Sequence, residues 1–236
     1  MQTAEIEKLA SLEENHWWYQ ERRVVLNGLL KQLGTPGRAL DIGAACGGNT
    51  RVLNQNGWQA TALDYSAAGP EICRRRGVTA VRADATRLPF SPGSLDLVVA
   101  YDVLEHIDED VLVVQEVHRV LRPGGHFLVA VPADPALWSA HDRAVDHRRR
   151  YTPAALNHVI ATNQFEITKM WNWNVLMKPA LKVRRNRMDC SDLNLVPPTL
   201  NAMLARIIRL ERYLPLSKLP GVSLFLQAQA LPTAKV

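Results

Sequence analysis

Short apolar runs alternate with helix-forming segments between residues 38 and 132, and this alternation restricts the fold more than any other feature of the sequence. The run Leu95–Tyr101, LDLVVAY, is largely apolar, which is typical of a central parallel strand covered on both faces. The other predicted strands of this part are Arg38–Ile42, Gln59–Asp64, Val78–Arg82 and His126–Val131, and the predicted helices are Asn49–Asn56, Pro70–Arg76 and Asp108–Leu121. The alternation predicts an α/β fold, an open parallel sheet with helices on both faces.

The pattern changes after Pro132. Residues 133–150 are predicted to form a long loop, and Thr152 with Pro153 marks the cap and first position of a helix that runs to about Ala161. The remainder is predicted as a strand over Gln164–Trp173, a largely helical insertion over 174–219 and a final strand over Val222–Ala228. We expect a single domain over residues 1–236, with an N-terminal helical cap over about 1–34 and the insertion before the last strand.

Composition fits one globular domain in a reducing compartment. The 236 residues are 47% hydrophobic and 22% charged, enough for one core. No apolar run approaches the roughly 18 residues of a membrane span, and the acidic N-terminal segment MQTAEIEKLASLEEN lacks a signal-peptide core. The cysteines Cys46, Cys73 and Cys190 form neither a C-x-x-C pair nor a zinc-binding spacing. These features predict a cytoplasmic protein.

The net charge of +5 comes mainly from short arginine clusters such as Arg148–Arg150, which lack an accompanying stripe of aromatic residues. We interpret them as solvated surface and expect no nucleic-acid partner. The stretch from Leu204 to Leu210 is basic and amphipathic, and it leaves peripheral contact with an anionic membrane open.

Acidic and small residues follow the first three predicted strands, where an open parallel sheet binds its ligands. The small residues after the first strand, within ALDIGAACGG (39–48), allow a ligand to approach the backbone. Asp64 ends the second strand and can accept both hydroxyls of a ribose. Asp84 follows the third strand and can accept from an exocyclic amine, while the backbone N–H of Ala85 donates to a ring nitrogen. Together these groups predict an adenosine pocket.

The loop after the first strand distinguishes between adenosine cofactors. A dinucleotide site requires G-x-G-x-x-G to seat a pyrophosphate, but Ala45 stands where the second glycine would be. Asp41 lies two residues before Gly43, where it would repel a diphosphate and attract an ammonium group. S-adenosylmethionine, which carries ammonium, sulfonium and adenosine together, fits better than NAD.

Five segments in register resemble the class I S-adenosylmethionine-dependent methyltransferases of the quinone, sugar and natural-product group. They are ALDIGAACGG (39–48), ALDYS (62–66), RADATRLPF (82–90), LDLVVAYDVLEHIDE (95–109) and VLRPGGHFLVAVP (120–132). The resemblance implies a Rossmann-like, seven-stranded, mostly parallel sheet whose last strand is antiparallel. It also implies S-adenosyl-L-methionine as cofactor, with contacts from Asp41, Gly43, Ala45, Asp64, Tyr65, Asp84, Ala85 and Tyr101.

A helix near the N-terminus, ENHWWYQERRVVLNGLLKQL, carries leucines on one face that Trp18 and Arg22 extend by helical steps. An arginine on a buried face needs an anion. The cofactor's carboxylate is one candidate, because this helix caps the cofactor in the family, and a carboxylate on another helix is the alternative. Tyr19 would contribute to a lid over the acceptor or to the core.

Methyl transfer to oxygen or nitrogen benefits from a base that is active near pH 7, so histidines close to the strand ends are the candidates. They are His106, after the fourth strand, and His141 and His147 within ALWSAHDRAVDHRRRYTP (136–153). Three interpretations of this segment remain open: a base oriented by Asp142, a hydrogen-bonded brace that shapes the pocket, and a metal site without recognised ligand spacing. Residues expected to contact the acceptor are Tyr19, Trp138, Asp142, Tyr151 and Trp173.

These features predict methyl transfer to an O or N atom of a small-molecule acceptor. The segment over residues 136–153 also resembles a Trp/Asp/His/Arg-Arg-Tyr signature of a methyltransferase subgroup from glycan and natural-product pathways, which implies natural-product or glycan-linked metabolism. One alternative is C- or O-methylation of a prenylated quinone or lipid at a membrane surface. Another is a non-catalytic partner protein that binds the cofactor. We expect a monomer or homodimer and no resident metal.

Overall fold

The computed structural model describes residue 10, residues 12–185 and residues 196–232. Cys190 and part of the predicted insertion lie outside these residues. The chain forms one seven-stranded sheet with the strand order β3-β2-β1-β4-β5-β7-β6. The strands are β1 Arg38–Ile42, β2 Gln59–Asp64, β3 Ala80–Arg82, β4 Leu95–Tyr101, β5 Leu121–Pro132, β6 Phe165–Trp173 and β7 Ser223–Ala230.

Strands β1 to β5 pair in parallel, whereas β7 is antiparallel to both β5 and β6. The predicted Rossmann-like sheet with an antiparallel last strand is therefore confirmed. The helices are α1 Trp17–Leu30, α2 Gly48–Gln55, α3 Ala68–Arg75, α4 Asp110–Val120, α5 Ala140–Ala144, α6 Pro153–Ala161, α7 Lys178–Arg185 and α8 Pro198–Glu211. Within the described ranges, every helix is too short or too polar to cross a membrane.

The central strand β4 separates two apolar layers, which explains why its sequence is apolar on both faces. Val98 and Ala100 pack with the cluster on the α4 and α6 side, while Leu97 and Val99 pack with the cluster that includes α1 and α8. Alternation of side chains along a strand produces this division. The two layers hold the carboxyl ends of β1 and β4 in fixed positions, where the candidate site lies.

Two elements differ from the prediction. The fifth strand begins at Leu121 rather than at His126, because Leu121 pairs with Leu95 and the register shifts before the next pair, Leu97 with His126. Residues 133–150 are not a loop throughout, since they contain a 3-10 turn at Pro135–Leu137 and the helix α5. Ser139 precedes α5 and forms a reciprocal capping box with Asp142. Asp142 also forms an ion pair with Arg150.

Candidate functional site

The loop after β1 is folded tightly against the end of β4. Its Gly43, Ala45 and Gly47 all have positive φ angles, of 67°, 46° and 81°. A Cβ atom on Gly43 would lie 2.6 Å from Cγ2 of Val103, so a larger residue would clash as well as strain the backbone. The loop therefore offers exposed backbone, and the N-terminal end of α2 follows it directly.

Asp64 and Asp84 lie at the ends of adjacent strands, as predicted. The Asp64 carboxylate accepts hydrogen bonds from the backbone N–H of Ala45 at 2.9 Å and from the Ser66 hydroxyl at 2.6 Å. Asp84 is exposed and accepts from the backbone N–H of Thr86 at 2.8 Å, and Ala85 beside it is buried. Tyr65 is 73% exposed. The geometry supports an adenosine edge here, and the individual cofactor contacts stay predictions.

Asp41 is buried beneath the loop instead of facing the cavity described below. Its side chain accepts a hydrogen bond of 2.6 Å from the Thr50 hydroxyl, and its other oxygen has no hydrogen-bond partner among the described residues. Burial raises the pKa of this carboxyl to about 7. The acid lies beneath the loop, and its predicted contact with the methionine part of the cofactor stays a prediction.

The raised pKa of Asp41 makes stability depend on pH. Between about pH 4 and pH 7 the folded chain holds a proton that the unfolded chain releases, so stability falls as the pH rises through this window. We expect Asp41→Asn to raise the free energy of unfolding by about 1–2 kcal/mol at pH 8 relative to the parent, because an amide is never ionised but still leaves a buried polar group. Urea unfolding from pH 4 to pH 8 measures this difference. A gain that is equal at both ends of the range would contradict it.

A cavity of about 430 Å³ lies beyond the carboxyl ends of β1 and β4. The loop after β1 contributes Gly43 and Ala45, and β4 contributes Tyr101 and Asp102. The other walls are formed by α1, by the histidines and by apolar side chains of the α7–α8 region, including Trp18, Tyr19, Arg22, His106, His141, His147, Met177, Leu181, Leu200 and Leu204. All three predicted histidines therefore reach one cavity, together with five of the ten predicted cofactor residues.

Arg22 is buried in an aromatic enclosure on the cavity wall. Its guanidinium lies 5.1–5.8 Å from the ring centres of Trp18, Tyr101, Trp173 and Phe225. Its anionic partner is Asp102 at 2.8 Å, in the turn after β4 and not on another helix. Cation–π contacts and this ion pair together fix the guanidinium in the cavity wall. Its predicted contact with the cofactor's carboxylate stays a prediction.

The three histidines form a connected group. The ring centres of His106 and His147 are 4.8 Å apart, and those of His141 and His147 are 6.2 Å apart. His147 Nδ1 lies 2.9 Å from the Asp142 carboxylate, which fixes the ring's orientation. Burial, with a contribution from His147, lowers the pKa of His106 to about 4, so His106 is neutral at pH 7.

Four of the five predicted acceptor contacts support or flank the wall rather than face the cavity. Asp142 is fully buried and bonds Arg150, and Tyr151 is buried and donates a hydrogen bond of 2.5 Å to Asp110. Trp173 is buried against Arg22, and Trp138 is 39% exposed outside the cavity lining. Only Tyr19 lines the cavity. The segment after β5 is thus braced by its own polar side chains, which was one of its three interpretations.

Asp102 and Glu105 are two residues of the site for which the sequence predicted no role. Asp102 lies in the cavity wall with a positive φ of 57°. Glu105 is fully buried in the 3-10 turn Leu104–His106, and neither of its carboxylate oxygens has a hydrogen-bond partner among the described residues. Both residues lie directly after the central strand, in AYDVLEH, and this position could have identified them as site residues from the sequence.

Known proteins resemble this chain in sequence and in structure. Residues 40–129 match the model of a methyltransferase domain family. A Mycolicibacterium smegmatis protein named "Probable S-adenosylmethionine-dependent methyltransferase" is 29% identical over 164 residues, which cover 67% of this chain and 63% of that protein. A demethylmenaquinone methyltransferase of Mycobacterium sp. (strain KMS) is 33% identical over 125 residues, covering 53% and 52%.

The structural comparison agrees on the fold. Phosphoethanolamine N-methyltransferase 2 of Haemonchus contortus, solved in complex with S-adenosyl-L-methionine, has a TM-score of 0.62 and 20% identity, covering 90% of this chain and 53% of that one. The chain spans between about half and two thirds of the length of the curated relatives named here. The family model over residues 40–129, these relatives and the strand order agree on one likeness: this part of the chain is similar to S-adenosylmethionine-dependent methyltransferase domains, and the fold is Rossmann-like.

Proposed function

We propose that the protein transfers the methyl group of S-adenosylmethionine to an oxygen or nitrogen atom of a small-molecule acceptor. The observation that carries the proposal is a single cavity that joins the tight loop after β1 to three histidines. Bound S-adenosylmethionine would supply an electrophilic methyl group on a sulfonium. The acceptor atom forms a bond to this carbon as the carbon–sulfur bond breaks, and the sulfur leaves as a neutral thioether.

The residues of this chain would orient the two reactants and remove a proton. Asp64 and the loop hold the adenosine side, and Arg22 with Tyr101 forms the adjoining wall. Holding both reactants in line supplies much of the catalysis in such a displacement. His141 and His147 are the candidates for accepting the acceptor's proton, and the Asp142 bond gives His147 a fixed orientation.

We place the acceptor in natural-product or glycan-linked metabolism, because the segment over residues 136–153 resembles that of enzymes from such pathways. A second candidate is a prenylated quinone or lipid. It is favoured by the apolar side chains of Met177, Leu181, Leu200 and Leu204 along the cavity, which suit an apolar tail. The demethylmenaquinone methyltransferases among the relatives point the same way.

Calorimetric titration with S-adenosylmethionine, its demethylated product and NAD tests the cofactor part of the proposal. We expect binding of the first two and none of NAD. A methyl-transfer assay with radiolabelled cofactor then compares polar small molecules with prenylated quinones in detergent. Preference for NAD would refute the proposal, and cofactor binding without turnover on either class would favour the non-catalytic partner.

A further inference from the structure

Glu105, His106 and His147 bring three metal-binding groups together at the wall of the cavity. One ligand atom from each residue lies within 4.8 Å of the other two. The closest approach to the carboxylate is from His147 Nε2, which lies 3.8 Å from Glu105 Oε1. The turn after β4 supplies two of these residues, and the segment after α5 supplies the third.

The Glu105 carboxylate lacks the contacts that a buried acid normally has. Its side chain is 0% exposed, and neither oxygen accepts a hydrogen bond within the described part of the chain. Transfer of an ionised carboxylate out of water is unfavourable unless a cation or donors compensate for the lost hydration. His147 Nε2 lies 3.8 Å from Oε1 of this carboxylate. A cation bound beside both groups would compensate for the lost hydration.

Both imidazoles are held at the nitrogen opposite to the one that an ion would use. His147 Nδ1 lies 2.9 Å from the Asp142 carboxylate, and His106 Nδ1 lies 3.3 Å from the backbone oxygen of Asp146. Nε2 is then the nitrogen left for ligation on each ring. A carboxylate or carbonyl behind each metal-binding histidine is the usual arrangement, since it fixes the ring and its tautomer.

We propose that Glu105, His106 and His147 bind a divalent first-row transition-metal ion at the wall of the cavity. Two imidazoles and one carboxylate suit zinc, iron(II) or manganese better than magnesium or calcium, which prefer oxygen ligands. Metal–ligand distances of about 2.0–2.2 Å place tetrahedral ligand atoms about 3.4 Å apart, so a pair separated by 4.8 Å would have to approach by about 1.4 Å. His106 and His147 line the cavity, so the remaining coordination positions would face it.

The catalytic use of such an ion rests on the proposed methyl transfer, whereas the site itself does not. An acceptor hydroxyl bound at an open position would lose its proton more readily, as water does on a metal ion. His147 would then be a ligand and His141 the remaining base. This division makes His106 and His147 ligands and leaves His141 as a base, among the four histidines that line the cavity.

Binding of Zn²⁺ to the chelator-stripped chain tests the proposal. We expect one Zn²⁺ per chain by competition with a chromophoric chelator, and a visible Co²⁺ spectrum typical of a site with nitrogen ligands. Glu105→Gln and His147→Gln should each weaken Zn²⁺ binding by at least about 100-fold, the upper end of what even outer-shell changes cost. His158→Gln, which changes an exposed histidine on α6, serves as the matched control and should leave the affinity unchanged.

Two controls keep the result interpretable. Circular dichroism and thermal unfolding establish that each variant is folded, and titration with S-adenosylmethionine in the presence of a chelator measures cofactor binding separately. The proposal is overturned if the folded parent binds less than one Zn²⁺, or if Glu105→Gln binds it as tightly as the parent. In that case Glu105 and His147 are close because of packing alone, and the proposed methyl transfer without a metal remains intact.

Discussion

Replacement of Asp142 with alanine is expected to lower the free energy of unfolding by about 3–5 kcal/mol. The carboxylate is fully buried, and its Oδ1 atom lies 2.7 Å from Arg150 NH1, whose side chain is 1% exposed. Its Oδ2 atom accepts from the backbone N–H of Ser139 at 2.9 Å. Removal of the acid would take the negative charge away from a buried guanidinium and the cap away from α5.

Urea unfolding of the parent and of two variants measures this cost. Asp142→Asn keeps an acceptor oxygen, so its free energy of unfolding is expected to lie between those of the parent and the alanine variant. Asp108→Ala is the matched control, because its carboxylate is 75% exposed and its ion pair with Arg148, at 3.8 Å, should contribute less than about 1 kcal/mol. If Asp142→Ala lowers the free energy of unfolding by less than about 1 kcal/mol, this acid does not stabilise the segment over residues 133–150.

The sheet was predictable because its signals are local. LDLVVAY forms β4 over the predicted residues, and Thr152 caps α6 by accepting from the backbone N–H of Ala155. The start of β5 was not predictable in the same way. Arg122-Pro123-Gly124-Gly125 is a strong break signal, yet Leu121 extends the strand because Leu95 is available as a partner. Pairing between distant residues overrode the local preference.

In the candidate site, too, local features were predictable and contacts between distant residues were not. The fold rule placed Asp64 and Asp84 at strand ends, and the structure has them there. The sequence could not show that Arg22 meets Asp102, 80 residues later, or that Glu105 approaches His147. Asp142 illustrates the difficulty, since an acid beside a histidine in the sequence suggested a role on the acceptor. Its burial instead places it behind the wall, where it pairs with Arg150, which lines the cavity.

Replacement of Asp64 with alanine is expected to weaken S-adenosylmethionine binding by about 100-fold. Both carboxylate oxygens already accept from backbone N–H groups, Oδ2 from Ala45 and Oδ1 from Ser66, each at 2.9 Å. Oδ2 has a further lone pair for one ribose hydroxyl, whereas Oδ1 also accepts from the Ser66 hydroxyl at 2.6 Å and can take the second ribose hydroxyl only when that hydroxyl turns away. Loss of hydrogen bonds to a charged group costs about 1.5–3 kcal/mol, and the variant also loses the bond that holds the loop at Ala45.

Calorimetric titration of parent and variant measures the loss, with Glu71→Ala as the matched control. Glu71 is an acid on α3 whose side chain is 67% exposed, so its removal changes the charge near the site without changing the strand ends. The affinity of Asp64→Asn for S-adenosylmethionine should fall between those of the parent and Asp64→Ala. The amide keeps one acceptor oxygen but cannot accept from both ribose hydroxyls. The demethylated product carries the same ribose, so Asp64→Ala should bind it more weakly than the parent by the same factor. An Asp64→Ala variant that binds both ligands like the parent would show that the ribose does not bind at the end of β2.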